Sequence, residues 1–398
     1  MGILETIFSN SMFVSIFSAV VASVIIPMAI TTINKRKKDR KWREKEINSK
    51  LTEELKRIID SKCFIQTCGQ DAPPYDSVKV EKSENCWLLV NELCKIWNEN
   101  LPGKKRYIIV GGSGMGKSAF LASLINGYIR KYTEATLPYS IFHFHLGNDG
   151  DVINQITEIK NKCNASTSIL ILDALDENLE AVKDINSFMV RLEAVTNTFK
   201  VVLITVRPQL FPNDNCIPYQ GAKRYAGSYL KYERIYISPF DEEDINKYLE
   251  NKYKVGSNEY INAKRIMNGL CDLMARPLIL SYIDDLLELD NKEILTNSKI
   301  YYTIIIKWFE REHEANSNLK VEDLFAFSKE IAMRIYDNWK EKGELHISEE
   351  QFEDFAKEHN FNENNFRSRS LIDRRIDGSI KFSHKSFLEF FIAIVVIE

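Results

Sequence analysis

Apolar and polar residues follow three regimes along this chain. Residues 12–33, "MFVSIFSAVVASVIIPMAITTI", hold no ionisable side chain, and about 20 apolar residues are what a helix needs to cross a bilayer. Residues 40–60, "RKWREKEINSKLTEELKRIID", are charged but repeat apolar residues at helical spacing, at Ile47, Leu51, Leu55 and Ile58, which predicts a helical stalk. "GQDAPPYDSVKVEKSEN", residues 69–85, breaks that period with paired prolines and reads as a linker. "CWLLVNELCKIWNEN" then resumes a helix. Beyond it short apolar runs, 107–110, 169–172 and 201–205, alternate with helical patterns, which predicts a parallel sheet with helices on both faces.

Charge changes the picture only locally. With 398 residues, 44% hydrophobic and a net charge of -3, the chain can bury the cores of two or three domains, and no global charge argues for nucleic acid. Directly after the apolar run, however, come Lys35, Arg36, Lys37, Lys38, Arg40, Lys41, Arg43 and Lys45, while residues 1–11 carry no Lys or Arg. This asymmetry predicts a single-pass anchor in the cell (inner) membrane, the N-terminus outside and the body cytoplasmic, with the basic cluster against anionic headgroups. A cleaved signal peptide has the opposite charge order; a buried core helix is the other reading, and Pro27 places a kink late in the run. The 7 cysteines include no CxxC pair and read as reduced, in keeping with a cytoplasmic body.

Candidate chemistry begins at "RYIIVGGSGMGKSAFLASLI". A predicted strand feeds Gly111, Gly112, Ser113, Gly114, Met115, Gly116, Lys117 and Ser118, with Ala119 opening a helix; this is G-x-x-x-x-G-K-S in its strand–helix setting. Glycines let successive N–H groups point at phosphate oxygens, Lys117 neutralises the terminal phosphates, and Ser118 ligates Mg2+. "ILILDALDEN" then ends a predicted strand in carboxylates: Asp173 at the position of a second magnesium contact, Asp176 and Glu177 one turn on, where an acid can orient or deprotonate a water. "KVVLITVRPQLF" ends a further strand at Arg207, a charge clamp for a terminal phosphate or a surface arginine. No Asn/Thr-Lys-x-Asp guanine-reading motif occurs, which favours ATP/ADP over guanine nucleotides.

Gly111–Ser118, "ILILDALDE" with small Ala174, and "LITVRP" together resemble the NACHT branch of the STAND nucleotide switches. The likeness continues through "YISPFDEEDINKYL", "LMARPLILSYI" and "IKFSHKSFLEFFIA", covering roughly 86–398. Added to the transmembrane anchor (1–34) and the basic juxtamembrane helix and linker (35–85) read from apolar and charge patterning, the resemblance implies an α/β P-loop NTPase domain (86–238), a helical domain (239–295) and a winged-helix domain (296–398). It further implies that Pro277 and His384 approach bound ADP, and that exchange for ATP opens the molecule and lets it assemble with its own copies. The family usually carries a sensor after the winged helix and an effector before the nucleotide domain; here the sequence stops at Glu398 and the membrane run stands at the effector position. The expectation is a membrane-anchored ATP hydrolase switch, in a chain whose composition looks bacterial, acting in antiphage defence with an unknown trigger and no nucleic acid. A ring-forming ATPase motor, with Arg276 as its lid arginine, and a winged-helix transcription regulator remain open alternatives.

Overall fold

The computed structural model describes residues 62–71, 73–74, 87–88, 105–134, 140–147, 151–211, 213–218, 232–292, 296–359, 366, 370–375 and 377–397. The membrane run, its basic flank and the stalk lie outside these; among the described residues no helix is long and apolar enough to cross a membrane.

A sheet of seven strands carries the first half. These are β1 (Cys68–Gln70), β2 (Trp87–Leu88), β3 (Lys105–Val110), β4 (Ser140–His145), β5 (Ser168–Asp173), β6 (Val201–Val206) and β7 (Glu233–Ile237), in the order β2-β1-β7-β3-β6-β5-β4. The strands from β3 to β7 pair in parallel. Each residue of β5 and β6 is buried, the burial pattern that a parallel sheet covered on both faces imposes on uninterrupted apolar runs. The helices between them are α1 (Lys117–Glu134), α2 (Val152–Lys162), α3 (Leu179–Lys183) and α4 (Ile185–Thr196).

Two expectations are corrected at the far edge. Trp87 and Leu88, read as the start of a helix, form strand β2, and Gly69 and Gln70, read as linker, lie in β1. β1 pairs antiparallel with both β2 and β7, so the sheet is mixed. Helical periodicity in "CWLLV" is indistinguishable from a short buried strand at this length, and the β1–β7 pairing joins residues 166 and 168 apart (Gln70 with Tyr236, Gly69 with Ile237), which local pattern does not report.

The second half is mainly helical: α5 (Glu242–Lys252), α6 (Asn258–Asn268), α7 (Cys271–Met274), α8 (Pro277–Ser281), α9 (Ile283–Lys292), α10 (Asn297–Ala315), α11 (Val321–Lys342) and α12 (Glu349–Glu358). A hairpin of β8 (Ile372–Arg374) and β9 (Ile380–Phe382) precedes α13 (Lys385–Ile397). Local signals set the ends of several helices. Asp241 and Asp244 form a capping box on α5, as do Ser348 and Gln351 on α12, and Gly343 closes α11 at φ 76°, where a Cβ is disfavoured. One apolar core runs from Phe240 to Phe391, so the segments on either side of residue 296 share a single interior.

Candidate phosphate-binding site

β3 delivers the glycine loop at the carboxyl edge of the sheet, where parallel strands present ligand sites. Gly111 N donates to Val206 O at 3.1 Å, extending the β3–β6 ladder by one step. Gly114 and Gly116 then take φ of 72° and 88°, a region L side chains rarely adopt. A Cβ on Gly114 would lie 2.7 Å from Leu278 Cβ. Met115 is buried, whereas Ser118 is exposed at the start of α1, its hydroxyl open to a ligand, and Ala119 follows on the same turn. Lys117 Nζ donates to Gly111 O at 2.7 Å and Gly112 O at 3.0 Å. Burial is the main influence on this ammonium, and Arg207 adds repulsion; against the pull of Asp176, Asp173 and Glu177 its pKa falls to about 8.

β6 stands between the loop strand and the acidic strand, and its end organises both. Leu172 pairs with Ile204, which sets Asp173 beside Thr205: the Thr205 hydroxyl donates to Asp173 Oδ1 and accepts from Ala174 N at 2.9 Å. Ala174 has φ 57°, and this left-handed turn carries the chain into the 3-10 segment Leu175–Glu177. Asp176 comes back onto Arg207: Oδ1 accepts from its backbone N at 2.9 Å, and Oδ2 lies 3.0 Å from Nε. That N–H is not aimed at Oδ2, which is buried without a hydrogen bond. Arg207 Nη2 reaches Glu177 Oε1 at 3.4 Å, and Glu177 Oε2 is 3.9 Å from His145 Nε2. Arg207 is therefore interior, at 6% exposure. Burial opposes its charge, but Glu312, Asp176, Glu177 and Asp373 outweigh that and hold its pKa above the ordinary guanidinium value.

The helical and C-terminal segments close onto this loop. Leu278 N donates to Gly114 O at 3.1 Å, and Pro277, first residue of α8, places its Cγ 3.8 Å from where a Gly116 Cβ would stand. Arg276 donates to Ser113 O at 3.2 Å, to Asp373 Oδ2 at 2.5 Å and to Ser383 O at 3.3 Å. Gln209 Nε2 donates to Asp373 Oδ1 at 2.8 Å, and Ser113 Oγ to Glu312 Oε1 at 3.4 Å. His384 follows Ser383 and is brought to the neighbourhood of Arg276. Its Nδ1 accepts from Ser386 N at 3.2 Å, while burial and then Arg276 lower its pKa. A neutral ring that accepts at Nδ1 carries its proton on Nε2, leaving that N–H as a donor. The structure thus gathers Gly111 to Ala119, Asp173, Asp176, Glu177, Arg207 and Pro277 round one loop, with His384 next to Ser383, whose carbonyl accepts from the Arg276 side chain that also reaches the loop.

Thr205, Glu312 and Asp373 belong to the same cluster and carry no motif in the sequence, and Arg276, which the sequence offered only as the lid arginine of a motor, joins them. Thr205 left a signal, as the one polar side chain in "VVLITV"; Arg276, Glu312 and Asp373 meet the loop only through the tertiary fold.

The side chains fit a nucleotide polyphosphate with a divalent cation. A bare glycine backbone and an ammonium suit phosphate oxygens, and the Ser118 hydroxyl and Asp173 carboxylate are the hard oxygen donors that magnesium takes. Among the described residues no group of three or more His, Cys, Asp or Glu is placed to hold a metal, so a cation here would draw its remaining ligands from phosphate and water.

No protein family and no curated protein matches the sequence. Solved structures resembling the fold include the Walker-type ATPase of Pyrococcus abyssi (11% identity, TM-score 0.41, 80% of this chain and 97% of that one). RuvB of Thermotoga maritima (12%, 0.39, 75% and 91%) and Cdc6p of Pyrobaculum aerophilum (14%, 0.31, 83% and 98%) are further examples. With every one of these TM-scores below 0.5, it is the chain's own strand order and glycine loop that make its first half an α/β P-loop domain.

Proposed function

We propose that this chain is a membrane-anchored ATP hydrolase of the NACHT type, working as a switch between an ADP-held closed form and an ATP-held open form. The observation that carries the reading is Arg276, which joins the loop carbonyl of Ser113 to Asp373 and to Ser383 O. Residues 97 to 163 positions away from Arg276 are drawn together at the phosphate loop by its one side chain, as a switch requires. A motor needs its lid arginine free to engage a phosphate, and Arg276 is engaged elsewhere.

In this reading Lys117 and the loop N–H groups bind the phosphates, and Ser118 with Asp173 holds magnesium, which neutralises phosphate charge when bound. Glu177 orients the attacking water, and Arg207 steadies the terminal phosphate. His384, its Nε2–H a donor, contributes to the closed form from the winged-helix segment. Release of the closure would expose faces for assembly with further copies and cluster the membrane helices of residues 12–33. The cell membrane location, the antiphage role and the absence of a nucleic-acid partner belong to the same proposal and rest on the family likeness.

The test uses the full chain purified in detergent without added nucleotide, denatured, with the released nucleotide identified by chromatography. Near-stoichiometric ADP supports the closed switch. An empty site that turns over added ATP rejects it in favour of the motor.

A further inference from the structure

Glu312 breaks the pattern of the helix that carries it. α10 turns Ile304, Ile305, Trp308 and Phe309 into the core. Glu312 follows Trp308 by one turn on the same inward face, and is 1% exposed. An amphipathic helix wants an apolar residue there. A carboxylate at that point loses its water and also faces the partial negative charge of the helix's last turns. What the position offers is the phosphate loop. Oε1 accepts from Ser113 Oγ at 3.4 Å and from Arg311 Nη1 at 3.0 Å, and among the carboxylates round Arg207 it is Glu312 that most supports the guanidinium charge.

We infer that Glu312 sets the nucleotide specificity of the site, placing a fixed negative charge against the loop so that the closed form accepts a nucleoside diphosphate and disfavours a triphosphate. This rests on reading the loop as a nucleotide site. A diphosphate is matched by Lys117 and the loop N–H groups. A further phosphate adds negative charge and calls on Arg207, whose charge Glu312, Asp176 and Glu177 already answer. Like charges in a partly desolvated site discriminate by a factor on the order of ten or more. Because Glu312 sits on a helix of the closing half, the discrimination is removed when that half withdraws, which couples phosphate number to closure.

Calorimetry on the full chain with Mg-ADP and with a non-hydrolysable Mg-ATP analogue tests this. Glu312→Gln keeps the shape and an acceptor for Ser113. It is expected to tighten the triphosphate analogue on the order of tenfold while ADP affinity stays within about twofold. Glu312→Asp, retaining the charge, is expected to keep the wild-type ratio. Equal shifts for both ligands, or none, overturn the inference. If Glu312→Gln does not fold, Glu312→Leu, which suits the apolar face, is judged by the same ratio. Lys117→Ala separates the two levels: if it leaves ADP affinity unchanged, the nucleotide-site reading itself falls. If it removes ADP binding and the Glu312→Gln ratio is unaltered, only the specificity role falls.

Discussion

At the scale of single residues, the acids of "DALDE" divide their work by burial. Asp176 is interior and spent on the backbone and Nε of Arg207, whereas Glu177 keeps part of its carboxylate accessible. Glu177→Gln should therefore leave nucleotide affinity near wild type and slow hydrolysis on the order of 100-fold. Asp176→Asn should instead lower the melting temperature, since it leaves a buried guanidinium under-compensated; binding and turnover assays beside a thermal melt tell the two apart. Lys117 supplies a pH signature. Its pKa is lowered from 10.5 to about 8, so between those values the unfolded chain binds more protons than the folded one. The stability cost of this group is full below pH 8 and is relieved as pH rises toward 10.5. Affinity for phosphate runs the other way, because binding needs the ammonium. ADP affinity should be flat below about pH 8 and weaken above it, and Lys117→Arg should remove that weakening; calorimetry across that range checks both.

At the scale of elements, the β8–β9 hairpin is fastened to the segment that follows β6 by an interior ion pair. Arg374, fully buried, donates to Asp214 Oδ1 at 2.7 Å and to Pro208 O at 2.9 Å. The Tyr236 hydroxyl donates to the other Asp214 oxygen at 2.6 Å. Removing one partner of a buried pair strands the other charge, at a cost of about 3–5 kcal/mol. Asp214→Leu should thus destabilise strongly, and adding Arg374→Met should recover part of the loss. A denaturant-unfolding double-mutant cycle measures it, and strictly additive effects would show that the pair does not couple the hairpin to the sheet.

At the scale of the whole molecule, the proposed closure and the proposed membrane attachment can be tested separately. The contacts of the proposed closure lie among residues 111–384, while the proposed anchor, residues 12–33, lies outside the described residues. Deleting 12–33 is expected to move the protein from the membrane pellet to the supernatant with its bound nucleotide retained. Full-length protein found wholly in the supernatant would reject the anchor.

Much of this site was legible in the chain before any coordinates. The loop Gly111–Ser118 announces itself because its glycines and lysine must be contiguous to wrap a phosphate. Asp173 and Arg207 are legible because each ends an apolar run, and parallel strands end at a common edge. The sequence alone also determined the alternation of strands and helices, since periodicity is local. The tertiary structure decided the strand order that sets Thr205 on Asp173, the edge strands at Cys68–Gln70 and Trp87–Leu88, and the meeting of Arg276, Glu312 and Asp373 at the loop. Those depend on pairing and packing between residues far apart in sequence, where a lone arginine or glutamate in a helical pattern reads the same whether it faces solvent or a phosphate site.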